Sequence, residues 1–429
     1  MAHSTIAFRP IPNNALARHS RSEKDKVMGN NKGVASHEID LGKIPGVLVI
    51  IPLLLVAMAC GSGGSSNAPK HVPAQVIATV QVGVYPIDIA VNSATNRIYV
   101  ANRGHGVDPG SVMVIEGSTN SVIGTVTAGF GPCAIAVNSI TNKIYLTNSD
   151  DASVTVIDGA TNTTQTINLG VGNFPCGLAV DAATNKIYVA NYDRATVTVI
   201  DGATNNTTTI PVAALPGHIA INSATNQIYV CNSASDSADT TGSLTIIDGE
   251  TNKTSAIPLN SALGDATFRS AVNPTTNKVY VSGGNIVTIV DVATLTSSTI
   301  PAGSDVGVIA LNANTNKVYV ADNKPTSSPN FVAVIDGATL DTLTVPTGQY
   351  PGVIALDEAT NQIYVLNRDS GTVTVIDGAS NSTDTLGVGM SPSGAALNPV
   401  THRVYVINAC GNDSACSTNG TLSVIDGAH

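Results

Sequence analysis

The chain has 429 residues, enough for roughly two to three average domains or for one larger β architecture. Hydrophobic residues make up 43% of it, which excludes a disordered chain, whereas charged residues make up only 12% and Trp is absent. Twenty basic and thirty acidic residues give a net charge of −10, a balance that argues against nucleic acid as a partner.

An apolar segment near the N-terminus is typical of a secretory signal peptide. Residues 47–59 are apolar apart from the break at Pro52, and they follow the basic Lys43. The segment is too short for a membrane span of about 20 residues but fits a signal-peptide core of about 7–15 residues. We interpret residues 1–59 as leader and signal peptide, with Met28 as the more ordinary start, so that residues 1–27 would be a mis-called beginning. The alternative is a buried structural helix.

The signal-like segment ends in a small-residue motif before a cysteine. Ala57-Met58-Ala59-Cys60 and the Gly/Ser-rich stretch that follows resemble the lipobox of bacterial lipoproteins, although Ala57 stands where Leu or Val is usual. The resemblance implies that Cys60 is lipidated and that residues 60–73 are a flexible tether. The body of the chain would then be exported to the cell envelope and lipid-anchored to a membrane, on its periplasmic or outer side.

The rest of the chain is repetitive. Eight of the eleven tyrosines recur at intervals of 39 to 51 residues: Tyr99, Tyr145, Tyr188, Tyr229, Tyr280, Tyr319, Tyr364 and Tyr405. Such periods are typical of propellers and solenoids. Each period contains four runs rich in β-branched residues, separated by Asn, Asp and Gly turn chemistry, which predicts one four-stranded propeller blade per period.

The two ends of the repeat region complement each other. The last repeat stops with its third strand at residues 424–429, whereas residues 74–80 form a strand-like run with no blade before it. An N-terminal strand that completes the last blade would close the ring and remove its exposed edges. The sequence therefore predicts one all-β domain over residues 74–429, a β-propeller of eight four-stranded blades.

The repeated motifs resemble a known family. Tyr99-Val-Ala-Asn102, Tyr145-Leu-Thr-Asn148 and Tyr188-Val-Ala-Asn191, with the Val-Ile-Asp-Gly segments ending at Gly159 and Gly202, look like the YVTN β-propeller repeat. The fifth repeat departs most, since Ser282-Gly283 replaces the usual pair. The resemblance implies a propeller in an extracytoplasmic setting, and it leaves a seven-bladed ring, as in many members, as the alternative. It implies no activity, because propellers host binding modules and enzymes alike.

One face of the predicted ring varies. The loops between second and third strands differ in length and are long at residues 102–110, 232–242, 323–330 and 408–420, whereas the turns of the opposite face are stereotyped. Variable loops on a constant scaffold indicate a binding surface for a protein or small-molecule ligand. Neutral drift in tolerant loops is the alternative.

The first strands carry a second irregularity. At their third position Asp88, His218 and Arg269 interrupt a ring of small or apolar residues near the funnel mouth. These three side chains are the candidate ligand-binding residues, for an anionic or carbonyl-bearing ligand. On sequence alone, three solvated side chains at the mouth are the more common outcome.

Catalytic, metal and cofactor sites are not predicted. An acidic residue recurs in the same turn of every blade, where it acts as a turn former, and no histidine pair has ligand spacing. In an oxidising compartment Cys410 could pair with Cys416, and Cys133 with Cys176, which would leave Cys231 as a small buried residue.

The leading hypothesis is a non-catalytic, membrane-anchored binding or interaction scaffold without a cofactor. Its competitor is a propeller enzyme of the lactonase, lyase or quinoprotein-dehydrogenase type with its site at the funnel mouth. A structural component of the cell envelope is the third alternative.

Overall fold

The computed structural model describes residues 73–233, 241–262, 269–323, 330–413 and 418–427. These residues belong to one compact unit, Asn67–His429. The predicted leader, Cys60 and the tether up to residue 72 lie outside the described residues. Among the residues that are described, no helix has the length and apolar character needed to cross a membrane.

The described chain forms eight antiparallel sheets of four strands each, with a single 3₁₀ turn at Tyr192–Arg194. Seven blades follow in chain order: blade 1, β2 Pro86–Asn92, β3 Arg97–Asn102, β4 Ser111–Glu116, β5 Ser121–Thr127; blade 2, β6 Pro132–Asn138, β7 Lys143–Asn148, β8 Ser153–Asp158, β9 Thr164–Asn168; blade 3, β10 Pro175–Asp181, β11 Lys186–Asn191, β12 Thr196–Asp201, β13 Thr207–Pro211; blade 4, β14 Pro216–Asn222, β15 Gln227–Asn232, β16 Thr241–Asp248, β17 Thr254–Ala262; blade 5, β18 Arg269–Asn273, β19 Lys278–Gly283, β20 Ile286–Asp291, β21 Thr296–Pro301; blade 6, β22 Val306–Asn312, β23 Lys317–Asp322, β24 Phe331–Asp336, β25 Thr342–Pro346; blade 7, β26 Pro351–Asp357, β27 Gln362–Asn367, β28 Thr372–Asp377, β29 Thr383–Gly387.

Blade 8 joins the two ends of the chain. It consists of β30 Met390–Asn398, β31 Arg403–Gly411, β32 Thr421–Asp426 and the N-terminal β1 Gln75–Gln81. β1 runs antiparallel to β32, with Gln75 opposite Asp426 and Gln81 opposite Thr421. The predicted eight-bladed propeller and its closure by an N-terminal strand are confirmed, and the seven-bladed alternative is wrong.

The hydrophobic core lies between neighbouring blades. The recurring tyrosines are fully buried, and each packs against the blade that follows it. Tyr188 of blade 3, for example, lies in a cluster with Ile219, Ile228 and Val230 of blade 4. Tyr405 of blade 8 packs with Ile98 of blade 1 in the same way, so the packing is continuous around the ring. Because both faces of each sheet are covered, β-branched residues dominate the strands.

A ladder of asparagine side chains joins the blades at the face formed by the stereotyped turns, which we call the turn face. The last residue of each inner strand donates its side-chain N–H to the side-chain oxygen of a turn residue with left-handed backbone in the next blade. Six such bonds, of 2.7 to 3.2 Å, are present: Asn92–Asn142, Asn138–Asn185, Asn222–Asn277, Asn273–Asn316, Asn312–Asn361 and Asn398–Asn96.

The remaining two junctions differ in chemistry. Between blades 7 and 8, Asp357 and His402 replace the asparagine pair, and His402 Nδ1 lies 2.7 Å from Asp357 Oδ2. Between blades 3 and 4, Asp181 has no N–H to donate, and the buried Oδ1 of Asn226 has no hydrogen-bond partner among the described residues. The asparagine rung is therefore missing here, and the Ser223 hydroxyl of blade 4 donates instead to Asp181 Oδ1 at 2.9 Å.

Restoring that rung should stabilise the protein. In Asp181→Asn the new side-chain amide can donate to Asn226 Oδ1, so we expect the free energy of unfolding to rise by about 1 kcal/mol, the net value of one hydrogen bond. Urea unfolding of the two proteins measures the difference. The matched control is Asn138→Asp, which removes the donor to Asn185 and should lower the stability by about 1–3 kcal/mol. Changes of the same sign in both variants would contradict this explanation.

Candidate functional site

The loops between second and third strands lie on the same face as the loops that lead into the inner strands, and we call this the loop face. Backbone hydrogen bonds tie the two sets of loops together within a blade. Arg103 N–H donates to the Tyr85 carbonyl at 2.9 Å, and Arg368 N–H donates to the Tyr350 carbonyl at the same distance. The described parts of both sets of loops therefore lie together at the same end of each blade.

Inner strands β2, β14 and β18 carry the three candidate residues. Asp88, His218 and Arg269 occupy the same position of blades 1, 4 and 5, and each is half-buried. The pairing register of β2 shifts between Pro86 and Asp88, so a bulge lies at this position. Blades 1 and 5 are opposite each other in a ring of eight, and Arg269 acts electrostatically on both Asp88 and His218. The fold thus places the three residues at one level of the inner strands, with Arg269 close enough to influence the other two.

Asp88 links two blades. Its Oδ1 accepts the backbone N–H of Ile89 and its Oδ2 accepts that of Ile135 in blade 2, both at 2.9 Å. Burial raises the pKa of the carboxyl to about 6, although both backbone bonds and the nearby Arg269 charge act in the opposite direction. Asp88 therefore joins two inner strands by hydrogen bonds and also adds a titratable carboxyl group to them.

His218 is held in one neutral form. The backbone N–H of Ser270 in blade 5 donates to His218 Nδ1 at 3.3 Å, and the Ser270 hydroxyl lies 3.1 Å from the same nitrogen. Burial, followed by the charge of Arg269, lowers the pKa of His218 to about 3. At neutral pH the imidazole is uncharged, and because Nδ1 accepts a hydrogen bond, Nε2 carries the proton and is a donor.

Arg269 is the cation of the funnel. Its guanidinium makes no hydrogen bond or ion pair with the described part of the chain. Desolvation lowers its pKa, while Cys231 and Asp88 raise it. An arginine stays protonated under such conditions, so the side chain carries a full charge and five N–H donors. This arrangement can bind a ligand that offers a carboxylate, phosphate or carbonyl oxygen.

The cysteines take up the positions that the sequence suggested. Cys133 and Cys176 form a disulfide between β6 and β10, with Cα atoms 5.3 Å apart. Cys231 is a free, buried thiol, and burial raises its pKa to about 11. Cys410 is disulfide-bonded, and Cys416 lies outside the described residues, so that pair stays a prediction.

The recurrent acids are turn residues. Asp158 Oδ1 accepts the backbone N–H groups of Ala160 and Thr161, and bonds of this kind, that of Thr161 first, lower its pKa. Over the described residues, no three His, Cys, Asp or Glu side chains are grouped so that they could hold a metal ion.

Two features of the site are not predicted by the sequence patterns. The first is Ser270, which holds His218 and gives no signal in the sequence beyond its place directly after Arg269. The second feature is a set of aromatic residues that lead into the inner strands, such as Tyr85 and Tyr350. The available signal was that Tyr85, Tyr192 and Tyr350 are the tyrosines outside the repeated core position.

The opposed pKa shifts of His218 and Asp88 predict a pH dependence of stability. Between pH 3 and 6.5 the unfolded chain binds a proton at His218 that the folded chain excludes, so this residue destabilises the fold as the pH falls. Between pH 3.8 and 6 the folded chain binds the extra proton at Asp88, so this residue stabilises the fold as the pH falls.

Wild type should therefore lose stability relative to His218→Gln when the pH is lowered from about 7 to about 4. Relative to Asp88→Asn it should gain stability over the same range. Urea unfolding of the three proteins across this range checks both signs. Parallel pH profiles of wild type and His218→Gln would show that the imidazole is solvated.

Comparisons with known proteins agree with the fold. No protein-family model matches the chain, and no curated protein matches its sequence. A solved structure of Kuenenia stuttgartiensis hydrazine synthase matches with a TM-score of 0.56 and 16% identity, covering 83% of this chain and 97% of that one. A streptogramin B lyase structure matches with a TM-score of 0.51 and 12% identity, covering 68% and 93%. At such identities the likeness concerns the β-propeller fold alone.

Proposed function

We propose that this chain is an exported propeller of the YVTN-repeat type that binds a small ligand in its funnel and performs no catalysis. The guanidinium of Arg269, which makes no hydrogen bond or ion pair with the described residues, carries the proposal. A partly buried charge without a direct partner is costly, and a ligand carboxylate or phosphate would relieve that cost. Neutral His218 on the neighbouring blade adds a second N–H donor.

The proposal includes a lipid anchor at Cys60 in the cell envelope. Its support is the lipobox-like Ala57-Met58-Ala59-Cys60 and the polar tether behind it. A lipidated chain should partition into the detergent phase of a Triton X-114 extract, and Cys60→Ser should move to the aqueous phase. Recovery of both proteins in the aqueous phase would exclude the anchor.

A second candidate function is an enzyme that transfers protons in the funnel. It is favoured by Asp88, because a carboxyl with a pKa of about 6 suits acid–base chemistry near neutral pH. Both oxygens of this carboxylate already accept backbone N–H groups, however. His218, with a pKa of about 3, is a weak base at neutral pH. The geometry therefore supports binding better than catalysis.

Thermal shift with small anions tests the proposed role of Arg269. Citrate, acetate, inorganic phosphate and sulfate are suitable probes, and a ligand at 100 times its Kd stabilises a protein by about 2.7 kcal/mol. We expect at least one probe to raise the melting temperature of wild type and to lose this effect in Arg269→Ala.

The matched control for Arg269 is Val353→Ala, which truncates the side chain at the same position of blade 7. It should respond to the probes as wild type does. If no anion stabilises wild type, or if Arg269→Ala responds equally, the guanidinium is not a binding group.

A further inference from the structure

Aromatic side chains outside the core are confined to one face of the propeller. Beyond the eight buried tyrosines, the described residues contain six Phe and Tyr side chains, all at the loop-face ends of strands or in loop-face loops: Tyr85, Phe130, Phe174, Tyr192, Phe331 and Tyr350. Of these, Phe331 packs against the core. The turn face has no Phe or Tyr outside the core among the residues described.

Three of these rings sit on backbone that side chains rarely adopt. Tyr85, Phe174 and Tyr350 have φ values of 50°, 43° and 56°, in the left-handed region that bulky residues avoid. Each occupies the position just before an inner strand.

The fold explains the left-handed backbone but not the rings. In blade 2 the same position is Gly131, with φ 64°, and its carbonyl accepts the Ser149 N–H at 2.8 Å. Tyr85 and Tyr350 make the same bond, at 2.9 Å, to Arg103 and Arg368. Leu215 before the inner strand of blade 4 and Ser391 at the start of that of blade 8 take the same left-handed backbone, so the fold sets this backbone but does not require an aromatic side chain there.

Neighbouring groups hold the rings in fixed orientations. The Arg368 guanidinium lies 5.7 Å from the centroid of the Tyr350 ring, a cation–π contact. Tyr85 meets His105 edge to face at a centroid distance of 6.4 Å, and Phe174 meets Tyr192 at 6.5 Å. Tyr85 is 45% exposed, so a ligand can reach its ring.

Ionised side chains lie beside the rings. Arg103 and Asp150 form an ion pair of 3.6 Å next to Tyr85, and Asp151 accepts the backbone N–H of Phe130. A sugar ring needs both kinds of group, since its C–H face stacks on an aromatic ring while its hydroxyls bind carboxylates and guanidinium groups.

We propose that Tyr85, Phe130, Phe174 and Tyr350, which we call the aromatic rim, bind a neutral oligosaccharide. The rim follows consecutive blades, with Tyr350 on blade 7, exposed Met390 on blade 8, and one ring on each of blades 1, 2 and 3. Repeated rings along an arc suit a repeated ligand. Exposed carboxylates at Asp108, Asp151 and Asp193 disfavour an acidic polymer.

This proposal rests on the proposed binding role of the loop face, but it uses residues other than Arg269. Arg269→Ala should therefore lose anion binding and keep sugar binding. Rim variants should lose sugar binding and keep anion binding. The two proposals fail independently.

Titration calorimetry on the full-length protein in mild detergent tests the rim. The neutral probes are hexasaccharides of β-1,4-linked glucose, α-1,4-linked glucose and β-1,4-linked N-acetylglucosamine. A polygalacturonate hexamer is the acidic probe. We expect a neutral hexasaccharide to bind, and Tyr85→Ala and Tyr350→Ala each to weaken it by about tenfold or more, as for one aromatic anchor. Tyr85→Phe should bind as wild type does.

Two further variants separate binding from folding. Leu295→Ala is the matched control, because Leu295 is exposed and has a φ of 56° on the turn face; it should not change the affinity. Tyr350→Gly should lose sugar binding with an unchanged or higher melting temperature, since glycine relieves the left-handed strain. Absence of neutral hexasaccharide binding, binding of the acidic hexamer only, or wild-type affinity in Tyr350→Gly would overturn the proposal. The proposal would also be overturned if the chain bound no sugar and instead bound a protein partner that the rim variants no longer bind.

Discussion

Deleting residues 74–82 should abolish the cooperative folding of the propeller. The segment contains β1, which supplies the outer strand of blade 8 and pairs with β32 along its whole length. Ala74 and Val82 are 6% and 1% exposed, so their burial is lost together with the strand. We expect a loss of at least about 5 kcal/mol, comparable with the whole stability of many domains.

The physical reason is that β1 completes a sheet that the C-terminus leaves unfinished. Without it, β32 presents an unpaired edge and the packing of blade 8 against blades 7 and 1 is weakened on both sides. Denaturant unfolding followed by far-UV circular dichroism measures the change. Unfolding of the deletion variant at the wild-type midpoint would show that blade 8 needs only three strands.

Two controls distinguish closure from a mere loss of length. Deletion of residues 61–69 from the tether removes the same number of residues and should leave the midpoint unchanged. A permuted chain that carries residues 74–82 after His429, joined by a turn sequence from another blade, should recover the stability. Failure of the permuted chain to recover it would contradict the role assigned to β1.

Tyr188→Ala should destabilise the propeller more than any substitution at the loop face. The Tyr188 ring is fully buried between blades 3 and 4, so its removal leaves a cavity in the inter-blade core. Truncation of buried aromatic side chains costs about 3–5 kcal/mol. Urea unfolding of the variant gives the difference directly.

Two comparisons define what Tyr188 contributes. Its hydroxyl is buried without a hydrogen-bond partner in the described part of the chain, so Tyr188→Phe should keep or raise the stability. Tyr85→Ala, at an exposed ring, should change the stability by less than about 1 kcal/mol. If Tyr188→Ala and Tyr85→Ala lowered the free energy of unfolding equally, the eight recurring tyrosines would not be the main residues of the core.

The propeller was predictable because its determinants are local and repeated. The tyrosine of each blade, the turn asparagines and the alternating β-branched residues recur eight times. The strand-like segment at residues 74–80 corresponds to the strand that the last repeat lacks. Each of these signals depends on neighbours in the sequence or on its own copies, which a sequence shows directly.

The candidate site was less predictable because its contacts join different blades. The bond from Ile135 N–H to Asp88 and the bond from Ser270 N–H to His218 link positions 47 and 52 residues apart. Nothing in the residue types reveals that Asp88 serves a neighbouring backbone or that His218 is desolvated. The residue type of Tyr85 likewise does not reveal its left-handed backbone, which Gly131 shares at the equivalent position of blade 2.

The asparagine ladder has a consequence for how the chain folds. All of its other bonds join blades that are consecutive in the chain, but the Asn398–Asn96 bond connects residues 302 positions apart. The entropy of bringing such distant segments together must be overcome before their contacts become favourable, and folding slows as contacts become less local. Pairs of neighbouring blades can therefore form early from local contacts. The junction between blades 8 and 1 is then the last to assemble, and an open, incomplete ring is the species most exposed to association with other chains.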